Sequence, residues 1–333
     1  AYEIPLRLAG SEMCIRDRPL LTACDDLFEP ALENNRDLEA MYKEPSYAQG
    51  ILANAYIILP YETSPTSDLA TDDAVTNEIS SNYLRMATGS WTANNNPVSQ
   101  WQNRFNAIQY INLFLENVDK VEWAKDERIS TMFLDRLKGE AYGLRALHMY
   151  YLLRAHGGKI ADGTLMGVPI ILKSEGPDAD FNHARATYSD CVKQIMEDAD
   201  KAIELLPLDY KKFADSEIPE KYKNIGVTNA SDYRRVCGEE YRGLMSGRIA
   251  LAVRAQTALL AASPAFQSGS GMTWEQAADY AAEIIEKANG GGGCGLDADG
   301  LEWYTLADKD YGTGGSPAEV ISVSYTHLRA HET

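Results

Sequence analysis

The 333-residue chain is 45% hydrophobic and 24% charged, the balance of a folded protein long enough to bury a sizeable core. Its formal net charge of −18 repels phosphate backbones and anionic membrane surfaces, which argues against a nucleic-acid partner and favours a neutral or cationic ligand. No run of about 18 apolar residues is present, so no transmembrane helix is expected.

The two ends differ in character from the interior. Residues 1–18, which contain YEIPLRLAGSEMCIRDR, and residues 323–333, VSYTHLRAHET, resemble translated sequencing-adapter read-through and have neither helical nor strand periodicity. Both are expected to lie outside the fold. Their charges cancel, so the interior keeps the full acidic excess. Residues 19–24 follow, ending in Leu21-Thr22-Ala23-Cys24, the pattern of a bacterial lipobox after the remnant of a signal segment. A Cys24 thiolate would accept a diacylglyceryl group there, and each buried methylene would add about 0.8 kcal/mol of membrane affinity. The alternative is a chance LTAC. Residues 25–322 are expected to form one helical domain.

In chain order, helical spacing predicts Tyr47–Ile58, Gln100–Val118, Leu137–His156, a segment capped by Thr187 and closed by Pro207, Gly247–Ser263 and Thr273–Lys287. The Leu137–His156 segment is apolar nearly all round and should lie at the centre. In the Thr187 segment, Val192, Ile195, Met196, Ala199, Ala202 and Ile203 form the stripe to be buried. Thr273 and Gln276 have capping-box spacing, and Trp274, Ala277, Ala278, Ala281, Ile284, Ile285 and Ala288 share one face. The fold class is therefore all-α, mainly helix, and the paired helices suggest a tetratricopeptide-like solenoid with long loop insertions, although no clean 34-residue repeat is visible. Pro60–Asn96, Lys159–Ala186 and Pro207–Leu244 read as irregular and are where binding residues should be sought.

Candidate chemistry is sparse. Trp91 with Asn94, Asn95 and Asn96 could give a sugar both a flat aromatic face and amide partners, or could be a capped turn packed on the bundle. Tyr83 and Arg85 are its neighbours, and Trp303-Tyr304 is a second possible platform. Trp101 and Trp274 sit at core-like helical positions. Arg145 and His148, polar groups in an apolar helix, read as paired core residues rather than catalysts. Asp72, Asp73 and Glu78 have generic spacing and read as a solvated loop, with hydrolytic or calcium chemistry as the alternative. Cys24, Cys191, Cys237 and Cys294 are widely separated without CxxC or metal-like spacing, and apart from Cys24 they read as buried or idle thiols. The Gly290–Gly295 run follows a helix instead of joining a strand to one, so it is no phosphate loop. Neither a cofactor nor a metal is expected.

Several segments together resemble the SusD/RagB family of nutrient-uptake outer-membrane lipoproteins. The most specific is LKGEAYGLRALHMYYLLRAHGG followed by GVPII, Leu137–Ile171, supported by WQNRFNAIQYINLFLENV, RATYSDCVKQIMEDADKAIELLP and GRIALAVRAQTALLAASPAF in the family order. The resemblance implies four tetratricopeptide-like helix pairs, a lipid-anchored position on the outer face of the outer membrane, oligosaccharide capture and delivery to a SusC-like TonB-dependent transporter, without catalysis. Family members are longer, so the resemblance also implies that the C-terminal part of the domain is missing. The competing functions are a protein-binding tetratricopeptide scaffold and a helical glycoside hydrolase or lyase.

Overall fold

In a computed structural model of the chain, residues 40–60, 69–92, 95–289 and 321 are described. The expectations for Cys24, Asn94, Cys294, Trp303, Tyr304 and the two adapter-like runs lie outside these residues. The described part is mainly α: α1 (Ala40–Lys43), α2 (Pro45–Ile57), α3 (Asn82–Ala87), α4 (Trp101–Asn117), α5 (Glu127–His156), α6 (Tyr188–Leu205), α7 (Glu220–Lys223), α8 (Ala230–Cys237), α9 (Gly247–Ala262), α10 (Gln267–Ser270) and α11 (Trp274–Asn289). A small antiparallel hairpin, β1 (Gly158–Lys159) and β2 (Leu165–Met166), follows α5. The long helices pack largely in chain order, α2 on α4, α4 on α5, α5 on α6, α6 on α9 and α9 on α11. Neighbour-on-neighbour stacking of this kind is how a helical solenoid builds its core.

Local chemistry accounts for the helix boundaries. Thr187 accepts the Asp190 N–H at 3.1 Å and caps α6, as its sequence position predicts. Thr273 and Gln276 close a reciprocal box at the start of α11, each bonding the other's backbone N–H, at 3.2 and 2.9 Å. Ser246 caps α9 through the Ile249 N–H.

Helix α5 begins ten residues earlier than its apolar pattern predicts. Asp126 caps it at the Arg128 N–H, 2.9 Å away. In that first part the inward stripe runs Ile129, Met132, Phe133 and then Arg136, a buried arginine where the pattern calls for an apolar residue. The 30-residue helix, roughly 45 Å long, passes through three successive cores. Ile129 and Met132 join Tyr210, Tyr222, Tyr233 and Val236. Leu137, Ala141 and Leu144 join α2, α4 and the end of α6. Met149, Leu152 and Leu153 meet Val168, Cys191, Ile195 and Val253. The first of these cores corrects the reading of Pro207–Leu244 as irregular: it holds α7, α8 and two 3-10 turns, and its aromatics are buried against α5. These helices are too short for a stripe to show in sequence. Cys191 and Cys237 are both buried free thiols.

Buried charge fixes the register of the stack. Arg145 on α5 grips Asp198 on α6 in a two-pronged pair, Nε to Oδ2 at 2.7 Å and Nη2 to Oδ1 at 2.8 Å, and donates through Nη1 to Asn112 Oδ1 on α4 at 3.0 Å. Asn112 then donates to the carbonyls of Ile171 and Lys173, at 3.0 and 3.1 Å. Three helices and the strand-free segment after the hairpin are thereby keyed to one guanidinium. His148 is enclosed in the same way. Its Nε2 lies 2.9 Å from the Ala55 carbonyl, so that nitrogen carries the proton, and Nδ1 accepts from Arg104 Nη1 at 3.2 Å. Both polar groups are paired core residues, as the sequence suggests.

Two consequences are measurable. Asp198→Asn leaves a buried guanidinium without its counter-charge and is expected to cost about 3–5 kcal/mol in chemical denaturation, whereas Arg145→Met with Asp198→Leu should recover most of that loss. Burial, reinforced by the Arg104 charge, pushes the His148 pKa down to about 3. Below about pH 6.5 the unfolded chain therefore takes up a proton that the folded chain refuses. Stability should fall as pH drops from that point toward 3, by up to ~1.4 kcal/mol per pH unit. The difference in unfolding free energy between wild type and His148→Gln, followed from pH 7 to pH 4.5, should carry this slope; parallel curves would contradict it.

Candidate ligand-binding site on the loop before α4

The loop between α3 and α4 carries the candidate residues, and α3 is built to end where Trp91 begins. Ser81 caps α3 at the Tyr83 N–H, 3.3 Å away. At the other end Gly89 takes φ +66°, a left-handed conformation that costs glycine nothing. Its N–H bonds the Met86 carbonyl at 3.0 Å and the Ser90 N–H reaches back to Arg85 O at 2.9 Å, the double closure of a Schellman cap. The chain turns sharply there, and Trp91 follows with half its surface exposed, 50%.

Polar groups are fixed beside it. Thr92 and Asn95 exchange both backbone hydrogen bonds, at 3.0 and 3.4 Å. Asn95 Oδ1 accepts from Arg85 Nη1 at 3.4 Å, so the exposed arginine on α3 reaches the far side of the turn. A guanidinium has five N–H donors, and among the described residues Asn95 takes one of those of Arg85. Beyond it, Asn96 Oδ1 accepts the Val98 N–H at 3.0 Å and turns the chain into α4.

The structure thus brings Arg85 together with Asn95 on the turn that bears Trp91. Tyr83 is half-buried in the first turn of α3 and contributes less open surface. Asp72, Asp73 and Glu78 are exposed, with Asp73 and Glu78 held by local threonine turns, which is the solvated loop read from the sequence. Among the described residues no group of three or more His, Cys, Asp or Glu could hold a metal. Buried carboxylates are engaged elsewhere: Asp198 by Arg145, and Glu140 by the Tyr56 hydroxyl at 2.9 Å and by Arg136 at 3.5 Å. Burial pushes the Glu140 pKa up, against the opposing pull of the Arg136 charge.

Two expectations fail. Trp101 and Trp274, assigned to the core by helical spacing, are 41% and 50% exposed. Each opens its helix, and the helices that cover α4 and α11 do not enclose these first turns. On α11 Ala277 of the anticipated stripe is buried and Ile284 half-buried, whereas Ala278, Ala281 and Ile285 face outward. Trp101 is therefore a surface aromatic that the sequence pattern hid.

The chain's relatives agree with this reading of the fold. Among solved structures, a SusD superfamily protein from Bacteroides vulgatus ATCC 8482 superposes with a TM-score of 0.55 at 17% identity, over 84% of this chain and 50% of that one. A SusD-like protein from Bacteroides fragilis NCTC 9343 gives 0.54 at 16% identity, over 76% and 39%. A laminarin-binding SusD-like protein gives 0.53 at 19% identity, over 80% and 50%. The chain thus spans half or less of the length of these relatives. No curated protein matches it. Residues 32–221 match the profile of a SusD-like family described as starch-binding and associating with the outer membrane, and the chain belongs to that family.

Proposed function

We propose that this chain is the helical, ligand-capturing part of a lipoprotein anchored through Cys24 on the outer face of the outer membrane. There it binds oligosaccharides and hands them to a SusC-like TonB-dependent transporter, and it carries out no reaction on them. The observation that carries the reading is the Trp91 turn: a half-exposed indole set by a Schellman cap, next to an exposed Arg85 paired with Asn95. A pyranose ring offers apolar C–H faces and a rim of hydroxyls, and such a turn can stack on the first and bond the second. Family membership supports the ligand class. The acidic field supports a neutral glycan over a polyanion. No helix among the described residues is long and apolar enough to cross a membrane, which is compatible with attachment by lipid.

A binding role also fits the disposition of the titratable groups. A glycosidase needs two open carboxylates facing each other across a cleft. Here Asp198 and Glu140 are held by arginines inside the bundle, and the exposed Asp72, Asp73 and Glu78 lie on a solvated loop.

Calorimetric titration with starch-derived and laminarin-derived oligosaccharides tests the proposal, with the reducing ends assayed after incubation. The wild type should bind at least one series without releasing new reducing ends. Trp91→Ala should weaken binding roughly tenfold while changing stability by less than about 0.5 kcal/mol. Undiminished affinity in that variant would remove Trp91 from the site, and specific cleavage products would replace the binding role with an enzymatic one.

A further inference from the structure

Trp101 is surface-exposed but not loose. Phe105, one turn along α4, meets its indole edge-on, with ring centroids 4.9 Å apart and planes at 63°. His156, the last residue of α5, does the same at 5.4 Å and 86°. That imidazole is itself fixed. Its Nε2 accepts the N–H of Gln100, the residue before Trp101, at 3.0 Å, and its backbone carbonyl accepts Arg185 Nη2 at 2.6 Å. The indole is therefore held between a phenyl ring packed on the helical core and an imidazole fixed by hydrogen bonds, while 41% of it stays open to solvent. A planar aromatic surface of fixed orientation loses little rotamer freedom when a ligand stacks on it.

The chain between the Arg85–Asn95 pair and Trp101 is folded rather than extended. The Val98 N–H bonds Asn96 Oδ1, the Ser99 N–H bonds the Asn96 carbonyl at 3.4 Å, and the Trp101 N–H bonds Ser99 Oγ at 3.4 Å. Closing residues 96–99 in this way keeps the Cα atoms of Asn95 and Trp101 within about 18 Å of each other. Between them Val98 lies exposed and apolar.

We propose that Trp101 is a second stacking platform of the ligand site, so that one oligosaccharide runs from the Trp91 turn across the exposed start of α4. The inference rests on the glycan-binding reading above and adds a length requirement to it: the ligand must be long enough to reach both indoles, and a disaccharide engages only one.

The experiment compares wild type, Trp101→Ala and Trp101→Phe against maltose and maltoheptaose, and against the corresponding laminarin oligomers, with the melting temperature of each protein recorded. Wild-type affinity should rise with chain length. Trp101→Ala should lose about five- to tenfold for the seven-sugar ligand and little for the disaccharide, and Trp101→Phe should restore most of the loss. Equal heptasaccharide affinity in wild type and Trp101→Ala would overturn the proposal while leaving the Trp91 site intact. So would equal losses for short and long ligands with a lowered melting temperature, because that pattern marks Trp101 as a packing residue. If the wild type binds neither series, the glycan reading fails and this extension of it falls too.

Discussion

One buried guanidinium organises the stack. Arg145 is a cation removed from water, tolerable only because Asp198 neutralises it with two short hydrogen bonds and Asn112 takes a third donor. Those partners come from α6 and α4, so the pair is complete in one relative placement of the three helices and in no neighbouring one. A purely apolar contact between the same helices would tolerate a shift of one turn; this arrangement does not. Asn112 extends the constraint to the Ile171 and Lys173 carbonyls, and Gln109 does the same one helical turn earlier by exchanging two hydrogen bonds with the backbone of Glu175. A segment with almost no secondary structure of its own is thus laid along α4 in a fixed register.

Close packing around that network requires small residues at particular points. A Cβ on Gly143 would come within 2.5 Å of Met245, and one on Gly167 would overlap the Cys191 sulfur, so neither position has room for alanine without rearrangement. Gly167 begins the stretch that continues through Val168 and Pro169, and both of those residues are buried. Cys191 accepts the Val168 N–H through Sγ and bonds back to the Val168 carbonyl. The Gly-Val-Pro run is accordingly a docking strip for α6 as much as a turn. Rigidity built this way serves the surface: α4 is clamped along its inner face, so the loop that enters it and the indole that opens it inherit a fixed position.

Much of this was legible in the sequence because it depends on local chemistry. The caps at Thr187 and Thr273 were readable from spacing, as was the paired fate of Arg145 and His148, since a polar group in an apolar helix must find a partner. Hidden features were those that depend on what covers a helix. Helical spacing groups residues on a face but says nothing about where the neighbouring helix stops: Trp101 lies in an exposed first turn, and along α11 Trp274, Ala278, Ala281 and Ile285 are all exposed. Arg136 concealed the start of α5 for a related reason: its guanidinium is buried over the Tyr241 ring, 3.9 Å from the ring centre, in a place where hydropathy expects an aliphatic side chain. The short helices between Pro207 and Leu244 gain their stability from burial of tyrosines against α5, which no local pattern announces. At the site, Trp91 and Arg85 were identified from residue type alone, but their relation through Asn95 emerges only from the folded turn.

Among the described residues, the helical stack presents a short polar turn bearing Trp91 before α4, and the proposed role depends on what occupies that turn. A crystal structure of the protein with a starch- or laminarin-derived heptasaccharide bound measures this directly. The account expects intact sugar rings lying flat on the Trp91 indole, with hydroxyls within hydrogen-bonding distance of Arg85 or Asn95. Sugar seated on another face of the helical stack, with the Trp91 turn bare, would contradict it.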